Sequence, residues 1–262
     1  MSISANTLFH FTSFDNLKGI LLNGFYPRCS VEQVAFSNDV FPVAIPMVSF
    51  CDIKFSQVKE HIGVYNPYAI GLTKAWGIKK GINPVFYIEG NTTPHRLIKT
   101  MVKAYFALMD FKKNALKLTD AQKKEFTDLL QIVAYCKVNN CKRWDKGNER
   151  FIGENINFYD EREWRYCPGV KHSKNPDYLA LPFIPMLKQE KYSCVEAMRA
   201  QDENAKDKPL KFTASDIKYI VVNNDDEIEE LISFLRDNDL FQEHFDILIS
   251  KVNSVQRINE DH

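Results

Sequence analysis

The octapeptide Tyr159-Asp160-Glu161-Arg162-Glu163-Trp164-Arg165-Tyr166 constrains this chain more than any other stretch of its 262 residues. Charges and aromatics alternate along it with period two, which predicts a strand and excludes an amphipathic helix. On a strand Glu161 and Glu163 point one way, while Arg162 and Trp164 point the other. Two carboxylates about 7 Å apart on one face repel each other unless that face lines a wet cleft or meets a cation. A carboxylate held in a cleft is equipped to stabilise a developing positive charge. The plainer alternatives are an edge strand with solvated charges, or a structural ion pair between Glu163 and Arg165. In the second case Glu161 would be the carboxylate left to act.

Composition supports a substantial core: 45% of residues are hydrophobic and 13% aromatic, including 19 Phe and 11 Tyr. Lys plus Arg and Asp plus Glu number 34 each, so no global field favours nucleic acid or an anionic membrane, although local fields still can. The six cysteines form no CxxC pair and no Cys/His cluster, which argues against a structural metal site. The N-terminus shows no signal-peptide pattern, and no window of the length needed to span a bilayer is apolar. The expectation is a cytoplasmic protein with reduced thiols, without metal and without membrane contact.

Along the chain, Leu8-Phe9-His10-Phe11 reads as a short strand. Thr12-Ser13 then offers a capping hydroxyl, Phe14, Leu17, Ile20 and Leu21 recur at helical spacing, and Gly24 stands where a helix ends. Strand signals follow at 45–51, 68–72 and 84–88, with a helix-like piece from Phe55 to His61 and a turn or short helix from Lys74 to Lys80. Residues 93–143 keep a helical period in two parts, the second beginning at Thr119-Asp120. Residues 96–150 carry thirteen Lys/Arg against six Asp/Glu. Further strands are expected near 162–167, 178–182 and 217–222. From Asp225 to Asp246 nine acidic residues and one Arg accompany the period Ile228, Leu231, Ile232, Leu235, which predicts an acidic surface helix. That helix is either a solvated face or a contact for a basic partner protein. No repeat or low-complexity linker divides the chain, so one domain spanning 1–262 is expected, with a helical insertion at about 93–150.

A histidine (His10), a tyrosine (Tyr65, with Tyr68 as rival) and a glutamate (Glu163) thus stand in order on or beside successive strands. Such a set has the chemistry to hold NAD. The imidazole can bond a ribose hydroxyl, the phenol ring can stack on nicotinamide, and the carboxylate can stabilise an oxocarbenium-like transition state. Each residue has a plainer role: a buried hydrogen-bonded histidine, and turn tyrosines flanking Asn66-Pro67. In the basic insert, Lys142, Arg143, Trp144 and Lys146, with Lys112, Lys113 and Phe151, form a candidate nucleic-acid face beside the simpler reading of solvated surface lysines.

The runs LFHFTSFDNLKGILLNGFYPR, IPMVSFCDIKFSQVKEHIGVYNPYAIGLTKAWGIKKGINPVFYI and EREWRYCP resemble the AbiGi family of abortive phage-infection proteins over most of residues 7–170, with DIKYIVV at 216–222 a weaker match. More distantly, the first-strand histidine and the EREWR strand are similar to ADP-ribosyltransferases of the His-Tyr-Glu type. That resemblance implies an α+β fold in which two small packed β-sheets, flanked by helices, hold NAD between them. It implies Glu163 and Glu161 as catalytic residues, and His10, Thr12, Ser49, Tyr65 and Tyr68 as NAD contacts. The expected function is an ADP-ribosyltransferase toxin of a phage-defence toxin–antitoxin system, acting on nucleic acid or protein and silenced by an antitoxin or chaperone. AbiGi relatives are described as antitoxins, which implies the alternative: a non-catalytic antitoxin that binds and neutralises a protein toxin. An NAD glycohydrolase is a third.

Overall fold

The computed structural model describes residues 4–34, 41–58, 66–109, 119–145, 150–168, 184–185, 198–203 and 209–260. In chain order the strands are β1 (Thr7–Thr12), β2 (Arg28–Val34), β3 (Phe41–Cys51), β4 (Tyr68–Thr73), β5 (Asn83–Pro84), β6 (Phe86–Ile88), β7 (Cys136–Val138), β8 (Asn140–Asp145), β9 (Arg150–Asn157), β10 (Glu163–Tyr166), β11 (Ile184–Pro185), β12 (Ile217–Val222) and β13 (Val252–Ser254). The helices are α1 (Phe14–Asn23), α2 (Lys74–Lys79), α3 (Thr93–Met109), α4 (Asp120–Ala134), α5 (Asp225–Arg236), α6 (Phe245–Ile249) and α7 (Val255–Glu260). The α+β class expected from the sequence is the one observed.

Nine strands form one sheet whose main path runs β13-β12-β4-β1-β3-β10-β5. Its organiser is β3. The first half of β3 pairs with β2 and β11, and the second half with β10 and, at Phe9↔Cys51, with β1. The two half-sheets are therefore continuous through one strand of 11 residues. Two further ribbons, β6-β7 and β8-β9, hold the insert against this sheet.

Alternation along β1 sets the layers. Leu8 packs with Phe50, Ile70, Leu72 and Ile220 beneath Leu17 and Leu21 of α1 and Leu231 and Leu235 of α5. Phe9 faces the opposite way, toward Ile53 and Val58 and toward Val255 and Ile258 of α7. A third cluster joins Val43, Ile45 and Met47 of β3 to Ile98 and Val102 of α3 and Leu130 and Val133 of α4. Local signals place α1 as expected: the Ser13 hydroxyl accepts from the Asn16 N–H, and Gly24 closes the helix at φ 77° while donating to Ile20 O. A Cβ at Gly24 would lie 2.7 Å from the Leu210 carbonyl oxygen, so glycine is required there by space as well as by conformation.

Two expectations differ from the structure, and a third falls beyond what it describes. The helical character read over 93–143 stops at Ala134, and 136–138 and 140–145 are strands. These runs are too short for period alone to separate helix from strand. The acidic C-terminal helix breaks after Arg236, where the Asn238 side chain donates to Phe234 O, and continues as a 3-10 turn (Asp239–His244) and α6. The strand expected at 178–182 lies outside the described residues.

Gly71 on β4 sits opposite Phe9, and a Cβ there would meet the Phe9 ring at 2.8 Å and Thr7 Cγ2 at 3.0 Å. That ring is fully buried and stacked on Tyr219, so it has little room to yield. Gly71→Ala is expected to cost about 1–3 kcal/mol, read as a lower urea midpoint at unchanged slope. Gly19→Ala, in α1 with nothing within 4 Å, is expected to gain up to about 1 kcal/mol. Equal effects at the two positions would refute this account of β4.

Candidate functional site

The EREWR segment becomes a strand only at Glu163. Phe158–Glu161 is a 3-10 turn, and Arg162 takes the left-handed conformation at φ 45°, which ends the alternation on its N-terminal side. From there period two holds: Glu163 and Arg165 are buried on one face, while Trp164 and Tyr166 pack against the main core on the other. Glu161 and Glu163 nevertheless converge, because both reach one cation. Lys137 Nζ, from β7, lies 3.0 Å from each carboxylate. The like charges anticipated from sequence do meet a cation, supplied from a three-residue strand that composition had not singled out.

Six side chains form a chain of alternating sign: Glu32, Arg165, Glu163, Lys137, Glu161, Arg143. The links measure 3.1 Å for Arg165–Glu32, 2.6 Å for Arg165–Glu163, 3.0 Å for both Lys137 pairs and 3.1 Å for Arg143–Glu161. The Glu163 carboxylate is saturated. One oxygen accepts from Ser49 Oγ (2.7 Å) and Arg165 Nε (2.6 Å), the other from Lys137 Nζ (3.0 Å) and an Arg165 terminal nitrogen (2.9 Å). Its own backbone N–H donates to the Tyr87 hydroxyl at 2.8 Å. Arg165 has no exposed surface, and its other terminal nitrogen donates to Ala134 O at 3.2 Å, capping α4. Lys137 also stands over the Phe158 ring, 4.1 Å from its centroid.

These partners set the protonation states. Burial pushes the Glu163 carboxyl upward, but Arg165 and Lys137 outweigh it and hold the group well below the usual carboxylate range. Burial pushes Lys137 downward, yet Glu163, Glu32 and Glu161 reverse this and raise it. The ion pair with Arg165, one of the plainer readings of Glu163, is therefore present.

The candidate NAD contacts separate. His10 Nδ1 donates to the Ser49 carbonyl at 2.8 Å, and the Ser49 hydroxyl donates to Glu163. The histidine and the glutamate thus meet through one serine. Burial, only partly offset by that backbone bond, lowers the His10 pKa, so the ring is neutral with its proton on Nδ1. His10, Thr12 and Ser49 line a cavity of about 400 Å³ between α1 and the sheet, and neither Glu161 nor Glu163 is among its lining residues. Tyr68 shares the sheet face of His10 but stacks on Phe14 and donates to Glu227 at 2.9 Å, outside that cavity's lining. Burial and the Glu227 carboxylate push its phenol up to about 12. Tyr65 lies outside the described residues. No group of three or more His, Cys, Asp or Glu side chains among the described residues is placed to hold a metal ion. No helix among them is long and apolar enough to cross a membrane.

The basic face resolves in part. Lys142 is exposed, Arg143 is half-buried and bound to Glu161, and Trp144 sits on β8 opposite Phe151. Lys112, Lys113 and Lys146 lie outside the described residues. Sequence reasoning missed Lys137, Glu32 and Tyr87. The one available signal was a lysine between Cys136 and Val138 at the end of a helical period.

Glu163→Gln keeps the volume and removes the charge, leaving two buried cations under-compensated. It is expected to cost about 3–5 kcal/mol at pH 7, measured by denaturant unfolding. Because the folded carboxyl titrates below its unfolded value, its contribution is complete above the unfolded pKa of about 4.3 and is lost as pH falls. The stability gap between the two proteins is therefore expected to be constant from about pH 7 to 5.5, then to shrink by about 1.4 kcal/mol per pH unit below about 4. A gap that stays flat to pH 3 would refute the assigned charge state.

Comparison with known proteins bears on this geometry. A family model described as "Putative abortive phage resistance protein AbiGi, antitoxin" matches residues 23–223. The protein named "Abortive phage resistance protein AbiGi" of Lactococcus lactis subsp. cremoris is 28% identical over 254 residues, covering 90% of this chain and 97% of that protein. No solved structure matches. Neither match is to an ADP-ribosyltransferase, and the family's description as an antitoxin overturns the expectation of a toxic transferase effector. The saturated Glu163 carboxylate accords with that correction, since all its acceptor positions already hold protein donors. The chain belongs to the AbiGi family of abortive phage resistance proteins.

Proposed function

We propose that this chain is the antitoxin of an abortive-infection pair and acts without catalysis, by binding a protein toxin and neutralising it. The observation that carries this reading is the family match over residues 23–223, whose description names an antitoxin. The geometry supports it from a second side. The carboxylates at the centre of the molecule are held by Lys137, Arg165 and Arg143, and such a closed ionic chain suits a scaffold. A scaffold whose interior charges are mutually satisfied presents its outer surfaces in a fixed arrangement, which is what recognition of one protein partner requires.

The test is expression in a bacterial host, alone and together with the product of the adjacent gene. This chain alone is expected to leave growth unchanged. The adjacent product alone is expected to arrest growth, and co-expression is expected to restore it, with the two proteins eluting together at equimolar ratio from a sizing column. Growth arrest by this chain alone, or arrest by the pair as severe as by the adjacent product, would overturn the reading. Rescue with no complex would overturn direct binding.

A further inference from the structure

The C-terminal face carries an apolar groove with an acidic border. A cavity of about 330 Å³ opens between the end of α1, the segment Lys211–Ile217 and the 3-10 turn Asp239–His244, with Leu21, Phe212, Ile217, Phe241 and Leu248 in its walls. Its size is about twice the roughly 150 Å³ that accommodates a benzene ring in an apolar core. Leu240 stands on its border 62% exposed, and Ile247 nearby in the chain is 49% exposed. Exposed aliphatic side chains such as these are ordinary singly, and signal a contact surface when they continue an apolar groove.

On the border formed by residues 237–246 the formal charges are all negative, while Lys211 and His244 also line the groove. Asp237, Asp239, Glu243 and Asp246 are exposed, and residues 237–250 contain no Lys or Arg. This differs from α5, where Glu230 pairs with Lys18, Asp225 with Arg257, and Glu227 accepts from Tyr68. The carboxylates of 237–246 have no cation within ion-pair distance among the described residues. A phosphate backbone is repelled by this border, and an isologous contact with a second copy would set acid against acid. The chemistry that fits is a Lys/Arg-rich polypeptide carrying apolar anchors.

Building on the antitoxin reading, we propose that this groove is the docking site for the toxin, which inserts one or two apolar side chains from a basic amphipathic segment. The anchors displace water from the walls of the groove, and the cations beside them meet Asp239, Glu243 and Asp246. Affinity then comes from the buried anchors, while orientation and association rate come from the acidic border.

The probe is the purified product of the adjacent gene, titrated against this chain by calorimetry. Leu240→Asp is expected to weaken Kd at least ~10-fold, because a carboxylate replaces an apolar contact at the groove's border. The double variant Asp239→Lys/Glu243→Lys is expected to do the same and to flatten the salt dependence shown by the unaltered chain. Leu97→Asp, at a position 60% exposed on α3, is the control and is expected to stay within about twofold. All four side chains are exposed, so unchanged far-ultraviolet spectra and melting curves are expected throughout. If both groove variants bind like the unaltered chain while rescue persists, the docking site is wrong and the antitoxin reading stands. If the unaltered chain does not bind the probe at all, both fall. Self-association of the unaltered chain that Leu240→Asp abolishes would assign the groove to a second copy and overturn the proposal.

Discussion

The chain of six alternating charges, buried at its middle where Glu163 and Arg165 stand, is the constraint on which the arrangement of the other elements depends. Its members come from β2, β7, β8, β10 and the 3-10 turn before β10, so a single electrostatic unit ties the central sheet to both accessory ribbons. Such a unit is a poor source of net stability, because desolvation of each ion cancels most of the attraction between them. Its effect is on alignment. A one-residue slip of β10 against β3 would turn Glu163 and Arg165 into the core that holds Trp164 and Tyr166, and would leave Lys137 with Glu161 alone and take from Glu32 its Arg165 cation. Only the observed register satisfies every charge at once.

Much of the frame was legible because it rests on local rules. The hydroxyl of Ser13 and the bend at Gly24 bracket α1, the alternation of β1 separates Leu8 from Phe9, and the aliphatic run of β12 falls at 217–222 as expected. The strand character of Glu163–Tyr166 was legible for the same reason. What could not be read was the partner that makes it stable. Lys137 is 26 residues away in sequence and occupies a strand of three residues, too short to show a period. The sequence showed that two neighbouring carboxylates needed a cation, and only the fold identified which one.

This gap also explains the functional misreading. A histidine on the first strand and a glutamate on a late strand do converge, linked through Ser49. Convergence is a property of the sheet order, in which β1 and β10 both flank β3, so any chain with this topology brings those positions together. Whether the carboxylate is available is decided by its surroundings, and here Ser49, Arg165 and Lys137 occupy it. Topology placed the residues, and the donors around them decided what they do.

A formally neutral chain can still be strongly polarised, and this one is. The insert is rich in Lys and Arg, whereas 225–246 holds nine acids and one Arg. The insert packs on β3 through α3 and α4, and the acidic elements pack on β12 and β13, three and four strand spacings from β3, or about 14 Å and more. That separation exceeds the screening length of about 8 Å at physiological salt, so the two regions act on an approaching partner independently. A basic segment is drawn to the acidic border of the groove and repelled by the insert, which orients the encounter before any apolar side chain is buried. The ionic chain in the interior preserves this polarity. By pairing Glu32, Glu161 and Glu163 internally with Lys137, Arg143 and Arg165, it keeps equal numbers of both signs out of the external field and leaves that field to the surface groups.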